Sequence, residues 1–195
     1  GEFGSLDYLV NNAGIAPSQR WKAAWPYVRD MPEELWMSIF DTNDKGIFLS
    51  SKHAIPHMER QHSGHIVNVN SGSGGAGRLG GRVGPQSMAY IMTKAVLVQF
   101  TRFLAEQVRE HNICVMAIGP GGGFATEDAP EKVRSEMPGP EIAGDRYFLA
   151  IDADMSLSGR VVSLDGDKLV PVYLELNHET LVRDSPMALA RLNFP

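Results

Sequence analysis

Two short runs of apolar, largely β-branched residues, Ile66–Asn70 and Ile113–Ile118, flank a long segment whose apolar residues recur at helical spacing. That segment, Met88–His111, is too long for a hairpin turn and long enough for a crossover helix. A strand, a crossover helix and a second strand form a parallel pair. The order therefore predicts an α/β fold in which helices cover a parallel sheet.

The same alternation extends in both directions along the chain. Tyr8–Val10 reads as a buried strand that ends in turn-prone residues, and Gly159–Gly166 reads as the last strand. From Pro32 to Met58 the apolar positions predict one long helix, bent near Gly46. Residues 124–146 are acidic and interrupted by proline, which favours a mobile cover with a short helix around 131–137. We expect a doubly wound parallel sheet with helices on both faces.

Composition narrows the function classes. A chain of 195 residues with 43% hydrophobic content suits a single domain, and its net charge of −5 gives no positive field for nucleic acid. No stretch approaches the roughly 20 apolar residues of a membrane helix, so no membrane partner is expected. The single cysteine, Cys114, lies in an apolar run where a buried, reduced thiol is the ordinary case. These features indicate a cytoplasmic protein.

A tyrosine and a lysine carry the candidate chemistry. Tyr90 and Lys94 are four residues apart on the predicted helix, hence on one face. A phenol has a pKa of about 10, and a nearby cation lowers that pKa towards the range where general acid/base catalysis works. The spacing alone is weak evidence, because such a pair can occur by chance. Its context strengthens it, since Ser71 ends the preceding strand and the helix brings Tyr90 back to that strand's carboxyl end. The combination predicts an acid/base site at this edge.

Five segments, taken in order, resemble the successive motifs of the short-chain dehydrogenase/reductase family. They are Leu6–Gly14 (LDYLVNNAG), Asn43 in DTNDKG, Ile66–Ser71, Tyr90-x3-Lys94, and Pro120-Gly121 with Thr126, and the match runs from residue 4 to about residue 166. The resemblance implies a Rossmann-like fold, NAD or NADP as cofactor, and a small-molecule alcohol or carbonyl substrate.

The resemblance also implies a role for each matching position. Tyr90 would exchange a proton with the substrate oxygen, Ser71 would polarise that oxygen, and Lys94 would lower the pKa of Tyr90 and bind the nicotinamide ribose. Asn43 would hold, through its main chain, a water that connects Lys94 to solvent. The remaining positions would line the cofactor: Asn11, Ala13, Gly14, Pro120, Gly121 and Thr126.

Departures from the family pattern leave alternatives open. The interval from Ser71 to Tyr90 is longer than usual, so Ser73 is a second candidate, and an extra glycine after Pro120 displaces Thr126. The family's glycine-rich phosphate turn and its NAD or NADP selector do not precede Tyr8. We therefore expect an N-terminally truncated, partial Rossmann-like domain over residues 1–166, with 167–195 as an extension of unknown role. The alternative function is a catalytically inactive chain that acts only in assembly or binding.

Two other signals are set aside, and one expectation is added. Gly72–Gly77 matches G-x-G-x-x-G, but it does not open directly into a helix as a dinucleotide fingerprint does. His53 and His57 are four residues apart without the glutamate of a zinc motif, so no metal site is predicted. Members of the family commonly form homotetramers, and a homo-oligomer is the expected state of the intact protein.

Overall fold

The computed structural model describes residues 4–15, 26–71, 88–119, 124–125, 131–165 and 168–171. Five strands form one sheet in the order β1 to β5: β1 Tyr8–Asn11, β2 Gly64–Val69, β3 Ile113–Ile118, β4 Val161–Asp165 and β5 Lys168–Pro171. The helices are α1 Glu33–Phe40, α2 Gly46–Gln61, α3 Met88–Val108, α4 Glu131–Arg134 and α5 Glu141–Ile151. Short 3-10 turns span Val28–Asp30, Arg109–His111 and Met155–Leu157.

The first four strands are parallel, and the fifth is antiparallel to β4. Crossover helices connect the parallel strands, as the alternating sequence pattern requires. The predicted α/β fold, a doubly wound and predominantly parallel Rossmann-like sheet, is confirmed. The antiparallel strand β5 was not predicted, because the sequence analysis assigned the last strand to Gly159–Gly166.

Apolar clusters lie on both faces of the sheet. On one face, α2 and α3 bury residues such as Met58 and Leu104 against Ile66 and Val115 of the sheet. On the other face, Ala150 of α5 packs against a cluster that includes Val67 and Cys114. Strands covered on both faces read as continuous apolar runs, and all six residues of β3 are buried.

The long helix predicted from Pro32 to Met58 is one helical run with a π-helical turn, Asp41–Lys45, between α1 and α2. The bend was predicted near Gly46, and the π turn ends at the residue before it. A π turn inserts one residue into the helical register, which rotates the side chains on either side of it. The side chain of Asn43, in the middle of this turn, is buried, with 1% of its surface exposed.

Two elements were not predicted. Residues 141–151 form α5, although the proline-rich composition of the region suggested a cover with only one short helix. Residues 168–171, assigned from the sequence to the C-terminal extension, form β5 and pair with β4. The short helix predicted around 131–137 is present as α4 over Glu131–Arg134.

Strand β1 lies at the edge of the sheet within the described residues, where it pairs only with β2. Its side chains Tyr8 and Val10 are 48% and 37% exposed. None of the helices in the described ranges has the length and apolar character that crossing a membrane requires.

Candidate active site

The candidate site lies where β2 ends and α3 begins. Strand β2 ends at Val69, two residues before Ser71, and α3 presents Tyr90 in its first turn. The side chain of Ser71 makes a hydrogen bond with the Tyr90 phenol, which lowers the pKa of Tyr90. Burial acts in the opposite direction and is the larger effect, so the pKa of Tyr90 lies above its ordinary value. The two hydroxyl groups proposed to act on one substrate oxygen are therefore in direct contact.

Lys94 lies on the same face of α3 and is only 5% exposed. Its Nζ donates a hydrogen bond to the Val69 carbonyl oxygen at 2.9 Å and lies 5.7 Å from the centre of the Tyr90 ring. Burial lowers the pKa of Lys94, and the negative charge of Asp44 raises it.

The predicted effect of Lys94 on the Tyr90 pKa stays a prediction. The pKa of Tyr90 is raised rather than lowered, because burial of the phenol dominates and Ser71 supplies the opposing effect.

Asn43 ties three parts of the site together. Its side-chain oxygen accepts from the main-chain N–H of Ile15 at 2.8 Å, and its nitrogen donates to the Ile15 carbonyl and to Thr93 Oγ1, both at 3.1 Å. The amide thus clamps the loop after β1 and the first turns of α3 onto the π turn. Both polar atoms of its side chain are bonded in this clamp, and the role that the family resemblance assigns to Asn43 is that of its main chain.

The loop after β1 brings small residues beside the lysine. A Cβ atom placed on Gly14 would lie 3.3 Å from Asn43 Oδ1 and 3.8 Å from Lys94 Nζ. Ala13 and Gly14 are exposed, whereas Asn11 is 7% exposed. The Asn11 amide nitrogen donates to Asn68 at 2.8 Å and to Ser51 at 3.3 Å, and its oxygen accepts from Ser50 at 2.6 Å. The Asn11 side chain is therefore bonded to the protein interior, not presented to a ligand.

Four of the predicted positions lie outside the described residues: Ser73, Pro120, Gly121 and Thr126. The glycine-rich segment 72–86 also lies outside them. The structure brings together Ser71, Tyr90, Lys94, Asn43 and Gly14.

Four polar residues near the site were missed from the sequence. Asn68 donates to Thr101 Oγ1 at 2.9 Å. Asn70 is 2% exposed, and neither its amide oxygen nor its amide nitrogen has a hydrogen-bond partner among the described residues. Burial and the nearby Tyr90 phenol raise the pKa of Tyr147, a residue of α5. Asp44 is the fourth, and its pKa is raised to about 6 by burial, with the Lys94 charge opposing.

Asn68 and Asn70 carried a usable sequence signal, because they are the two polar residues in a short strand whose other residues are apolar.

Metal ligation is not apparent in the part of the chain that the structure describes, where no group of three or more His, Cys, Asp or Glu side chains is placed to hold an ion. His65 bonds through Nε2 to the Ala153 carbonyl at 3.1 Å. Burial raises the pKa of the Cys114 thiol to about 11, which keeps it protonated and unreactive.

Comparison with known proteins decides the family. The family described as short chain dehydrogenase matches residues 1–136. The chain belongs to the short-chain dehydrogenase/reductase family. Its members are nicotinamide-dependent oxidoreductases, and the motif order predicted this membership.

Related short-chain dehydrogenases include two bacterial enzymes named 3-oxoacyl-[acyl-carrier-protein] reductase FabG. The Staphylococcus aureus protein is 31% identical over 177 residues, covering 85% of this chain and 67% of that protein. The Thermotoga maritima protein is 33% identical over 181 residues, covering 87% and 68% respectively. Among solved structures, ElxO with NADP bound is similar with a TM-score of 0.67 and 28% identity, covering 85% of this chain and 68% of ElxO.

Proposed function

We propose that this chain transfers a hydride between a nicotinamide cofactor, NAD or NADP, and a secondary alcohol or carbonyl substrate, with Tyr90 as the acid/base residue. The observation that carries the proposal is the Ser71 to Tyr90 hydrogen bond at the carboxyl end of β2, with the buried Lys94 ammonium beside it. Open α/β sheets bind ligands at this edge.

The described residues fit a nicotinamide dinucleotide on two grounds. The Lys94 ammonium has three donors, and the structure gives it one hydrogen bond, to the Val69 carbonyl. Exposed Gly14 lets the chain approach closely at the same point, since a Cβ there would crowd Asn43 and Lys94. Lys94, Ala13 and Gly14 would hold the ribose side of the cofactor, and any contact from Asn11 would come from its main chain. When bound, the cofactor supplies the hydride chemistry.

The residues of the chain manage the proton. Tyr90 gives its phenolic proton to the carbonyl oxygen as that oxygen gains negative charge, or accepts the proton in the reverse direction. Ser71 donates a hydrogen bond to the same oxygen and stabilises the charge that develops on it. Burial raises the pKa of Tyr90, so the phenol is protonated at neutral pH, as proton donation in carbonyl reduction requires. The FabG relatives are named as reductases, in the same direction.

The proposed assembly is a homo-oligomer in the cytoplasm. Met92, Val96 and Phe103 share one face of α3 at a spacing of four and seven residues, and they are 42%, 47% and 70% exposed. A row of exposed apolar side chains on one helix is typical of a subunit interface. A buried thiol such as Cys114 is compatible with a reducing compartment. Light scattering of the purified chain tests the oligomer, and a monomer at micromolar concentration would contradict it.

The decisive experiment combines binding and turnover. Calorimetric titration with NADH and NADPH should detect binding of one of them, and mixing with a panel of small ketones and 3-oxoacyl thioesters should give oxidation of the cofactor, read at its absorbance band. Tyr90→Phe removes the proton donor, so turnover should fall by about 1000-fold or more while cofactor affinity stays within a few-fold.

Three results oppose the proposal in different ways. Turnover retained in Tyr90→Phe would refute the acid/base role. Cofactor binding without turnover of any carbonyl would favour other chemistry on the same site. The absence of binding to either dinucleotide would favour the inactive, assembly-only alternative.

A further inference from the structure

Asp44 is a charged residue that the proposed chemistry does not use, and it lies beside the groups that do the work. It follows Asn43 in the π turn, and its Oδ2 is shielded from solvent with no hydrogen-bond partner among the described residues. A buried carboxylate oxygen without a donor is costly, so a carboxylate at this position needs a compensating role.

The Asn43 clamp brings the backbone at Asp44 close to the backbone at Lys94. The amide nitrogen of Asn43 donates to Thr93 Oγ1 at 3.1 Å. Asp44 follows Asn43 and Lys94 follows Thr93, so this single hydrogen bond tethers two neighbouring pairs of residues. A Cβ at Gly14 would lie within 4 Å of both Asn43 and Lys94, which places the π turn and the ammonium around the same point.

We propose that Asp44 is a positioning residue whose carboxylate holds the buried Lys94 side chain in its charged form. Lys94 is 5% exposed and its ammonium makes one hydrogen bond, to Val69, so water does not stabilise the charge. Burial lowers the pKa of Lys94, and the negative charge of Asp44 opposes this effect. The interaction is reciprocal, because Lys94 lowers the pKa that burial raises on Asp44.

Other charged groups near the turn do not take this part. Asp41 and Lys45 of the turn itself are exposed and pair with each other at 3.3 Å. The elements packed on the turn are α1, α2 and α3. Among their titratable groups, Lys94 is the charge that lowers the Asp44 pKa against the effect of burial; the others are Glu33, Glu34, Lys52, His53, His57, Glu59, Arg60, Tyr90, Arg102 and Glu106.

This role rests on the proposed function, because a charged Lys94 matters to the reaction only if Tyr90 and a bound cofactor use it. The physical coupling between Asp44 and Lys94 does not depend on turnover. Measuring the Lys94 titration directly therefore separates the two.

The test uses three variants of the full chain. Asp44→Asn removes the half-buried charge and keeps the shape, Asp41→Asn removes one charge from the exposed part of the same turn, and Asp44→Glu keeps the charge. Carbon-13 labelling of lysine side chains gives one titrating signal per lysine, and Lys94→Met identifies the signal of interest. The Lys94 pKa should fall in Asp44→Asn, stay unchanged in Asp41→Asn and recover in Asp44→Glu.

The kinetic readout is the pH profile of kcat/KM for carbonyl reduction. In Asp44→Asn the basic limb should move to lower pH, which reduces kcat/KM there by roughly threefold to tenfold, while values near pH 6.5 stay close to those of the unsubstituted chain. A merely structural role would lower the whole profile evenly.

The possible outcomes are distinct. An unchanged Lys94 titration in Asp44→Asn, or the same change in Asp41→Asn, overturns the positioning role even if the enzyme turns over. A lowered Lys94 pKa in a chain that shows no turnover with any carbonyl supports the coupling and counts against the proposed function.

Discussion

Replacing Asp44 by asparagine should stabilise the fold at neutral pH and leave its stability unchanged in acid. The pKa of Asp44 is raised from 3.8 to about 6, chiefly because the carboxyl is partly buried. Since the folded-state pKa lies above the unfolded one, folding favours the protonated carboxyl. That contribution to stability is fully present below about pH 3.8 and is lost as the pH rises through about 6.

The magnitude follows from the difference between the two values. About two pKa units correspond to an upper limit of about 3 kcal/mol. The Asp44 side chain is only partly shielded, so solvent screening reduces the expected effect to roughly 1 to 2 kcal/mol. The asparagine variant carries no charge at any pH and does not pay this cost. The two proteins should therefore differ little in stability near pH 4, and the variant should be the more stable by this amount above pH 7.

Urea unfolding followed by tryptophan fluorescence, from pH 4 to pH 8.5, measures the difference. Asp41→Asn is the matched control, since Asp41 is exposed and paired with Lys45, and its stability should stay within about 0.5 kcal/mol of the unsubstituted chain at every pH. An Asp44→Asn protein that is less stable at pH 8, or whose advantage does not change with pH, would show that burial of this carboxyl is not the controlling effect.

Two substitutions test the packing around the site. Asn43→Ala should cost about 3 kcal/mol in urea unfolding, because it removes three hydrogen bonds and leaves the main-chain N–H and carbonyl of Ile15 without their partner; a loss under 1 kcal/mol would contradict the clamp. Gly64→Ala places a Cβ 2.5 Å from the Sδ and 2.9 Å from the Cβ of buried Met58, which should lower stability by about 1 to 3 kcal/mol. Adding Met58→Ala should make the Gly64→Ala change cheaper, and strict additivity of the two free energies would rule out the clash.

The bounds of strands and helices could be predicted from the sequence where a single local pattern determines the structure. The apolar run Ile113–Ile118 was predicted with the bounds that the structure has, because a fully buried strand needs no alternation. Helix α3 was predicted from the same start, with its end placed three residues late, where the chain continues as a 3-10 turn over Arg109–His111.

Elements that depend on tertiary contacts were not predicted from the sequence. Helix α5 follows Pro140 in a segment rich in proline and acid, and packing of its buried Ala143 and Ala150 supports a helix that local composition does not favour. Strand β5 did have a sequence signal, since Gly166-Asp167 is a dipeptide typical of hairpin turns and lies between two apolar runs.

The candidate site divides in the same way. Tyr90 and Lys94 were found by helical spacing, and Ser71 by its position at the strand end. Their electrostatics were not predictable, because the pKa of Tyr90 depends on how deeply folding buries the phenol. Asp44 was not predicted as a site residue, because a charged residue in a helical segment is ordinarily exposed. In the structure it lies half-buried in the π turn.

The amide pair between β1 and β2 also bears on how the edge of the sheet assembles. Asn11 and Asn68 are direct partners in the strand pairing, and their side chains bond to each other at 2.8 Å inside the protein. A four-residue strand has few main-chain bonds with which to choose its alignment. Sliding β1 by one residue would turn Asn11 to the opposite face, leave the Asn68 oxygen without its donor and place Val10 among polar groups. The two asparagines therefore specify one register for β1 against β2, and the same register places Gly14 beside Lys94.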